Sequence, residues 1–231
     1  MMTLKLLEVM PNVHAGRGIG SVVKHELCVM AMCAAEDRLR RGEPIGEATD
    51  QCKCVSPLLR TLAIAKNDSW WESDKERTAW ALDLYPRLLG TRDEARDVRR
   101  AAAVARYEVR VIAAEALRSA KLFNEAKRLA SLPEDVRLDV AEAAAKAAAK
   151  AAATAVSDVT ARPSRAARAK WATKWAAVAA GAAQAALDAV DDARVAQAIA
   201  ESAEAATRVA QAIARDSTGL DDLLRVAMET E

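Results

Sequence analysis

The chain has 231 residues; 56 are alanine, against 8 glycines, 6 prolines and 3% aromatics, with 52% of the chain apolar and a net charge of +1. Alanine is depleted in strands and sandwich folds need frequent turn residues, so an all-β fold is excluded. The apolar content excludes disordered and collagen-like chains, and four cysteines in this length exclude a disulfide scaffold. The class left is all-α.

Met1 to Met10 contains Lys5 and Glu8 and no apolar run of secretory-signal length. Trp175 to Leu187, the longest uncharged stretch near the middle, has 13 residues. A membrane span needs about 20. The expectation is an intracellular, cytoplasmic chain with reduced thiols and no membrane partner.

Gly16-Arg17-Gly18-Ile19-Gly20-Ser21 reads as a flexible lead-in. Its N–H groups could hold an anion at a helix start, but no dinucleotide or phosphate-loop fingerprint accompanies it. Residues 21–41 are predicted as the first helix, capped by Ser21 and ended by Gly42. Glu43-Pro44-Ile45-Gly46 is a turn. Ser56-Pro57 opens a helix to about Lys66, proline being favoured at the first helical position. Ser73-Asp74-Lys75-Glu76 and Thr91-Arg92-Asp93-Glu94 are capping boxes, the second opening a helix to about Ala120. Ser131-Leu132-Pro133-Glu134 is a third, starting an alanine-rich helix that stops before Pro163.

Composition shifts near residue 91 and again near 139. Residues 1–90 hold 9 alanines and residues 139–231 hold 36. Arg-Val-Ala-Gln-Ala-Ile-Ala occurs at 194–200 and again at 208–214, an offset of two heptads. Val195, Ile199, Ser202, Ala206, Val209 and Ile213 follow as a seam. Trp171, Trp175, Val178, Ala182, Ala185 and Ala189 give the same spacing, and so do Val140, Ala144, Ala147 and Ala151. Glu142 and Lys146 are placed for an i,i+4 ion pair. The expected architecture is a compact helical module at 1–130 followed by an alanine-rich antiparallel helical bundle at 131–231, or the same two parts continuous as one domain. Self-association through the alanine stripes is the first partner expectation.

Four groups of residues carry candidate chemistry. His25 and Cys28 lie one helical turn apart, and Cys52 and Cys54 flank Lys53; together they offer one nitrogen and three sulfurs to zinc. The C-x-C spacing is unusual for a zinc knuckle, and buried apolar cysteines are the competing reading, with Cys33 as a packing residue. A Cys–His catalytic pair lacks an orienting third group and an oxyanion hole, so the reading leans away from an enzyme, with no catalytic residue assigned. Residues 91–187 carry net +7 and residues 188–231 net −6. Arg162, Arg165, Arg168, Lys170 and Lys174 sit beside Trp171 and Trp175, which fits phosphate contacts with stacking on a nucleic acid, or a bundle seam with a solvated face. Arg99, Arg100, Arg106 and Arg110 have the same two readings. Arg99, Arg106, Arg165, Arg168 and Trp171 are the candidate ligand-binding set for a small anionic ligand. Trp70, Trp71, Trp80 and Tyr85, near Asn67-Asp68, form either a core or the wall of a pocket for a flat ligand.

A further set of short motifs runs along most of the chain: Leu27-Cys28-Val29-Met30, Gly42-Glu43, Cys54-Val55-Ser56-Pro57-Leu58-Leu59, Asn67-Asp68, Pro86-Arg87-Leu88-Leu89-Gly90-Thr91, Asp97-Val98-Arg99-Arg100-Ala101, an alanine- and tryptophan-rich tail, and Asp221-Asp222-Leu223-Leu224 through Met228. In this order they resemble an uncharacterised helical protein family of actinobacteria and their phages. The chain departs from that pattern at Ala31, where the family has an acid, and at Ser56, where it often has a histidine. Chemistry relying on those two groups is not implied here. The resemblance implies an origin in a phage or actinobacterial genome, hence a bacterial cytoplasm, and no mechanism. The functional expectation is a non-enzymatic binding or interaction protein, acting on a host factor or sequestering a small phosphorylated ligand. Two alternatives stand beside it: a zinc-dependent or Cys/His-based site in the first module, and nucleic-acid binding through residues 162–174.

Overall fold

The computed structural model describes residues 4–157, 170, 172–174, 176–181, 183, 184, 186 and 218–230. They are predominantly helical and include one three-stranded sheet. The chain divides into two compact units, residues 1–93 with 211–224 and residues 94–210 with 225–231. The boundary falls after Asp93, at the first of the two composition shifts.

The first unit starts with α1 (Lys5–Val9) and three two-residue strands, β1 (His14–Ala15), β2 (Gly20–Ser21) and β3 (Glu26–Leu27). β3 is central, parallel to β1 and antiparallel to β2. Helix α2 (Val29–Arg40) follows, every residue from Val29 to Glu36 buried. The helix expected from Ser21 therefore begins eight residues later, at Val29. The reason lies in backbone conformation. Gly18, Gly20 and His25 all have positive φ, which a right-handed helix does not admit. Asn67, wholly buried, donates its amide to the Gly16 carbonyl at 2.8 Å and accepts the Val29 N–H at 3.3 Å. Asp68 takes the Gly18 N–H and Thr78 the Ala15 N–H, each at 3.0 Å. The glycine-rich stretch is thus a tied-down arch, not a flexible lead-in. Glu36 caps α1 from a distance. Its buried carboxylate accepts from the Leu6 and Lys5 N–H groups at 2.8 and 3.3 Å and from Arg40 Nε at 2.8 Å, the company a buried anion needs.

Helices α3 (Pro57–Asp68) and α4 (Asp74–Leu88) open as the sequence predicts. Ser56 Oγ accepts the Leu59 N–H with Pro57 in the first turn, and Ser73 Oγ accepts the Glu76 N–H. The core they enclose with α2 includes Met30, Met32, Leu58, Leu59, Leu62, Tyr85 and Leu88. Trp71 and Trp80 meet with ring centroids 5.2 Å apart and planes tilted by 48°, Lys66 Nζ stands 4.5 Å from the Trp71 ring centroid, and that buried ammonium pairs with Asp221 at 2.7 Å. Trp70 is exposed. The aromatic group is therefore mostly a packed, cation-bearing cluster.

In the second unit α5 (Glu94–Tyr107), a π-helical turn (Glu108–Ala113) and α6 (Ala114–Ser119) run on without interruption, as far as the sequence places the helix end. Lys121, with φ of 64°, breaks the chain before α7 (Phe123–Ala130). The capping box expected at Ser131 does not form. Ser131 Oγ donates back to the Arg128 carbonyl, the Val136 N–H bonds the Pro133 carbonyl, and α8 (Leu138–Ser157) begins seven residues later than expected. The described residues between 170 and 186 are helical.

The buried face of α8 is Ala141, Ala145, Ala148 and Ala152, one residue on from the stripe read from Val140; Val140 itself is 46% exposed. Ala172, Ala176, Ala179 and Ala183 are likewise one on from the Trp171 stripe. At about 100° per residue, Asp139, Lys146 and Lys150 project opposite the first set, and Lys170 and Lys174 opposite the second. Where nearly every position is a small apolar residue, the charges decide which face is wet. Both stripes belong to one buried core with Val109, Leu117 and Leu129, so they are satisfied within the chain. Glu142 and Lys146 form the expected ion pair. Trp171, Trp175, Ala182, Ala185, Ala189, Pro163 and the repeat at 194–214 lie outside the described residues.

This register is testable by substitution. Ala148→Leu overpacks the seam and should cost about 1–3 kcal/mol in denaturant melts. Val140→Ala should change stability by no more than about 0.5 kcal/mol. The opposite ranking contradicts the observed face.

Candidate functional site

The loop between α2 and α3 carries the thiols Cys52 and Cys54, and its path is fixed from two sides. Arg38, on α2, donates from Nη1 to the carbonyls of Ile45 and Glu47, and Gly42 and Gly46 supply left-handed turns. The far end is held by residues 90–92. The Arg92 N–H bonds the Cys54 carbonyl at 3.1 Å, Arg92 Nη1 reaches the Lys53 carbonyl at 3.4 Å, and the Ser56 N–H donates to Thr91 Oγ1 at 3.1 Å. Two segments far apart in the sequence, Cys54-Val55-Ser56 and Gly90-Thr91-Arg92, are thereby laced together.

This path places Cys52 Sγ 2.9 Å from Cys54 Sγ. With a carboxylate oxygen of Asp37, on the last turn of α2, the two sulfurs form a cluster whose ligand atoms all lie within 4.8 Å of one another. Cys52 is buried and Cys54 half-buried. Either sulfur can donate in the hydrogen bond between them; with Cys52 as the donor, and helped by the Gly90 backbone N–H, it lowers the Cys54 thiol to about 6 against the opposing effect of burial. The same hydrogen bond, with burial, raises Cys52. Asp37 is paired with Arg41, which also holds Glu43 at 2.9 Å and lowers that carboxyl. The arrangement is an asymmetric dithiol, one sulfur half-buried and the other buried, next to a carboxylate.

His25 and Cys28 are not in this cluster. His25 occupies the turn between β2 and β3 with φ of 55°, so the helical spacing that grouped it with Cys28 does not exist there. Cys28 is the N-cap of α2, its sulfur accepting the Ala31 N–H at 3.3 Å, and burial raises its thiol. Cys33 is fully buried, faces the Tyr85 carbonyl at 3.6 Å and is raised well above the ordinary thiol value by burial, as a packing residue should be. Among the described residues the cluster of Asp37, Cys52 and Cys54 is the one group of three such ligands. No protein-family model matches the chain, and no curated protein or solved structure does.

The arginines of α5 and the π turn have structural work. Arg106 Nε donates to the Val136 carbonyl at 2.7 Å and Arg110 Nε to the Leu132 carbonyl at 2.8 Å, so both hold the loop before α8. Arg100 is buried against Asp97 and the Ala227 carbonyl, while Arg99 is exposed. Arg165, Arg168 and Trp171, with Arg162, lie outside the described residues. No described helix is long and apolar enough to cross a membrane.

Two residues were missed at the sequence level. Asp37 is one: fifteen residues separate it from Cys52, and nothing in local spacing links them. Glu108 is the other. It occupies a core position of the π turn, and neither carboxylate oxygen has a hydrogen-bond partner. Burial alone pushes its carboxyl well above the ordinary value of 4.5.

Because that carboxyl ionises at higher pH folded than unfolded, the stability it contributes is whole below pH 4.5 and is lost as pH rises toward and through the folded value. Glu108→Gln should therefore be more stable than the wild type at pH 8 and differ least at pH 4. Within the window the gap grows by at most about 1.4 kcal/mol per pH unit. Thermal melts across pH check this; a gap independent of pH contradicts it.

Proposed function

We propose that this chain is a non-enzymatic binding protein whose first unit holds a soft divalent cation, zinc in the first instance, through Cys52, Cys54 and Asp37. The observation that carries the reading is the convergence of two thiols and a carboxylate within 4.8 Å. Thiolate ligands favour zinc over magnesium or calcium, and carboxylate oxygen is an accepted third donor. Three protein donors leave one tetrahedral position for water or an incoming ligand. Two thiolates and a carboxylate overcompensate a divalent charge by one, and the guanidinium of Arg41 stands beside Asp37 to offset it. Arg41 has Glu43 as a second partner, so Asp37 can turn to a cation without leaving Arg41 unpaired.

The resemblance to the actinobacterial and phage family fits a bacterial cytoplasm and selects neither an activity nor a partner. A nucleic-acid role through Arg165, Arg168 and Trp171, or a role for Arg99 and Arg106 in holding an anion, has no comparable observation behind it; Arg106 is already engaged with the loop before α8.

Elemental analysis of reduced full-length protein, stripped with chelator, reloaded with zinc and desalted, tests the proposal. One zinc per chain is expected. Cys52→Ser and Cys54→Ser should each retain less than a tenth of it, and Asp37→Ala should bind with affinity reduced about 10–100-fold, the loss seen when a metal site is disturbed. Wild-type protein that keeps no zinc after reloading overturns the reading.

A further inference from the structure

We propose that Cys52 and Cys54 are also a two-electron dithiol–disulfide couple, with low-molecular-weight disulfides as the substrate class. This goes beyond cation binding and does not require it.

Three observations carry it. The first is distance. The sulfurs are 2.9 Å apart and unbonded. A disulfide is about 2.05 Å long. Two sulfurs each about 2.3 Å from a tetrahedral zinc lie about 3.8 Å apart. The pair stands roughly midway, so closing to a bond asks for no more movement than opening around a cation. The second is asymmetry of access. Cys54 is half-buried and can be approached from solvent, whereas Cys52 is 5% exposed and lies behind it. An incoming disulfide meets Cys54 first, and Cys52 is positioned to resolve the product. The third is that the other two thiols are already engaged. Cys33 is fully buried and turned toward the Tyr85 carbonyl, and Cys28 caps α2 with its sulfur. Neither is placed to take over the exchange.

The reaction balances as follows. The Cys54 thiolate attacks one sulfur of R–S–S–R; a Cys54–S–R bond forms, the substrate S–S bond breaks, and RS⁻ departs and takes a proton. Cys52 then loses its proton to solvent, and its thiolate attacks Cys54 Sγ. The Cys52–Cys54 bond forms, and the second RS⁻ leaves and is protonated. Two electrons pass from the protein thiols to the substrate, which is released as two thiols. The anchoring of Cys54 and Ser56 on Arg92 and Thr91 holds one end of the pair.

The test uses reduced, metal-free full-length protein and oxidised glutathione, with quenching by alkylation and peptide mapping. The wild type should lose two hydrogens and yield a Cys52–Cys54 disulfide, with Cys28 and Cys33 alkylated. Cys52→Ser, and independently Cys52→Ala, should stop at a glutathione adduct on Cys54. Cys54→Ser should react at Cys52 at least tenfold more slowly than the wild type reacts at Cys54. A wild type that accumulates only the Cys54 adduct, forms intermolecular dimers, or does not react overturns the proposal. The wild-type arm needs no variant, so it stands even if a substitution unfolds the chain. Zinc retention with no internal disulfide removes this inference alone, and an internal disulfide with no zinc retention removes the metal reading alone.

Discussion

Everything said of the candidate site depends on the lacing of residues 54–56 to residues 90–92. Cys52 and Cys54 lie in a loop with no regular secondary structure of its own, and such a loop has no intrinsic reason to hold two sulfurs at 2.9 Å. Backbone hydrogen bonds give it one. The Arg92 N–H fixes the Cys54 carbonyl, Thr91 fixes the Ser56 N–H, and the Gly90 N–H faces the Cys54 sulfur. Ser56 is at once part of this lacing and the N-cap of α3, so the loop's end and the helix's start are set together. Each bond is worth about 1 kcal/mol net. Their value is positional, since they hold the two sulfurs of sequence neighbours side by side.

The two units solve the same problem with different materials. The first has loops and strands whose backbone groups must be satisfied individually, and it uses buried polar side chains, above all Asn67 and Glu36, to do so. The second is built of helices whose backbone is already paired, and it packs alanine against alanine. Methyl faces remove little area from water, at about 25 cal/mol per Å². The seam therefore gains from length and closeness, with Leu117, Leu129 and Val109 adding bulk at one end. The π turn at Glu108 is an irregular step within the run from α5 to α6, and it carries a buried carboxylate neither of whose oxygens has a hydrogen bond.

What could be read in the sequence follows from how local the cause is. The caps at Ser56-Pro57 and Ser73, the stop at Gly42 and the end at Ala120 depend on neighbours within four residues, and they are found as expected. The helix from Ser21 fails because its competitor, Asn67, acts from about 40 residues away. The box at Ser131 fails because its serine turns back to Arg128. The alanine stripes were displaced by one residue because apolar periodicity is nearly degenerate when most positions are alanine; the lysines, read as the wet face, resolve it. At the site, Cys52 and Cys54 are local and were legible as a pair. Asp37 reaches them only through the fold, and His25 with Cys28 was grouped on a helical spacing that the chain does not adopt.

The proposed site has two sulfurs and a carboxylate oxygen sharing one cation. X-ray absorption at the zinc edge of the loaded full-length chain tests this most directly. The prediction is two sulfurs at about 2.3 Å and two lighter oxygen or nitrogen atoms at about 2.0 to 2.2 Å. A first shell made only of oxygen and nitrogen atoms, or one of four sulfurs, would contradict it.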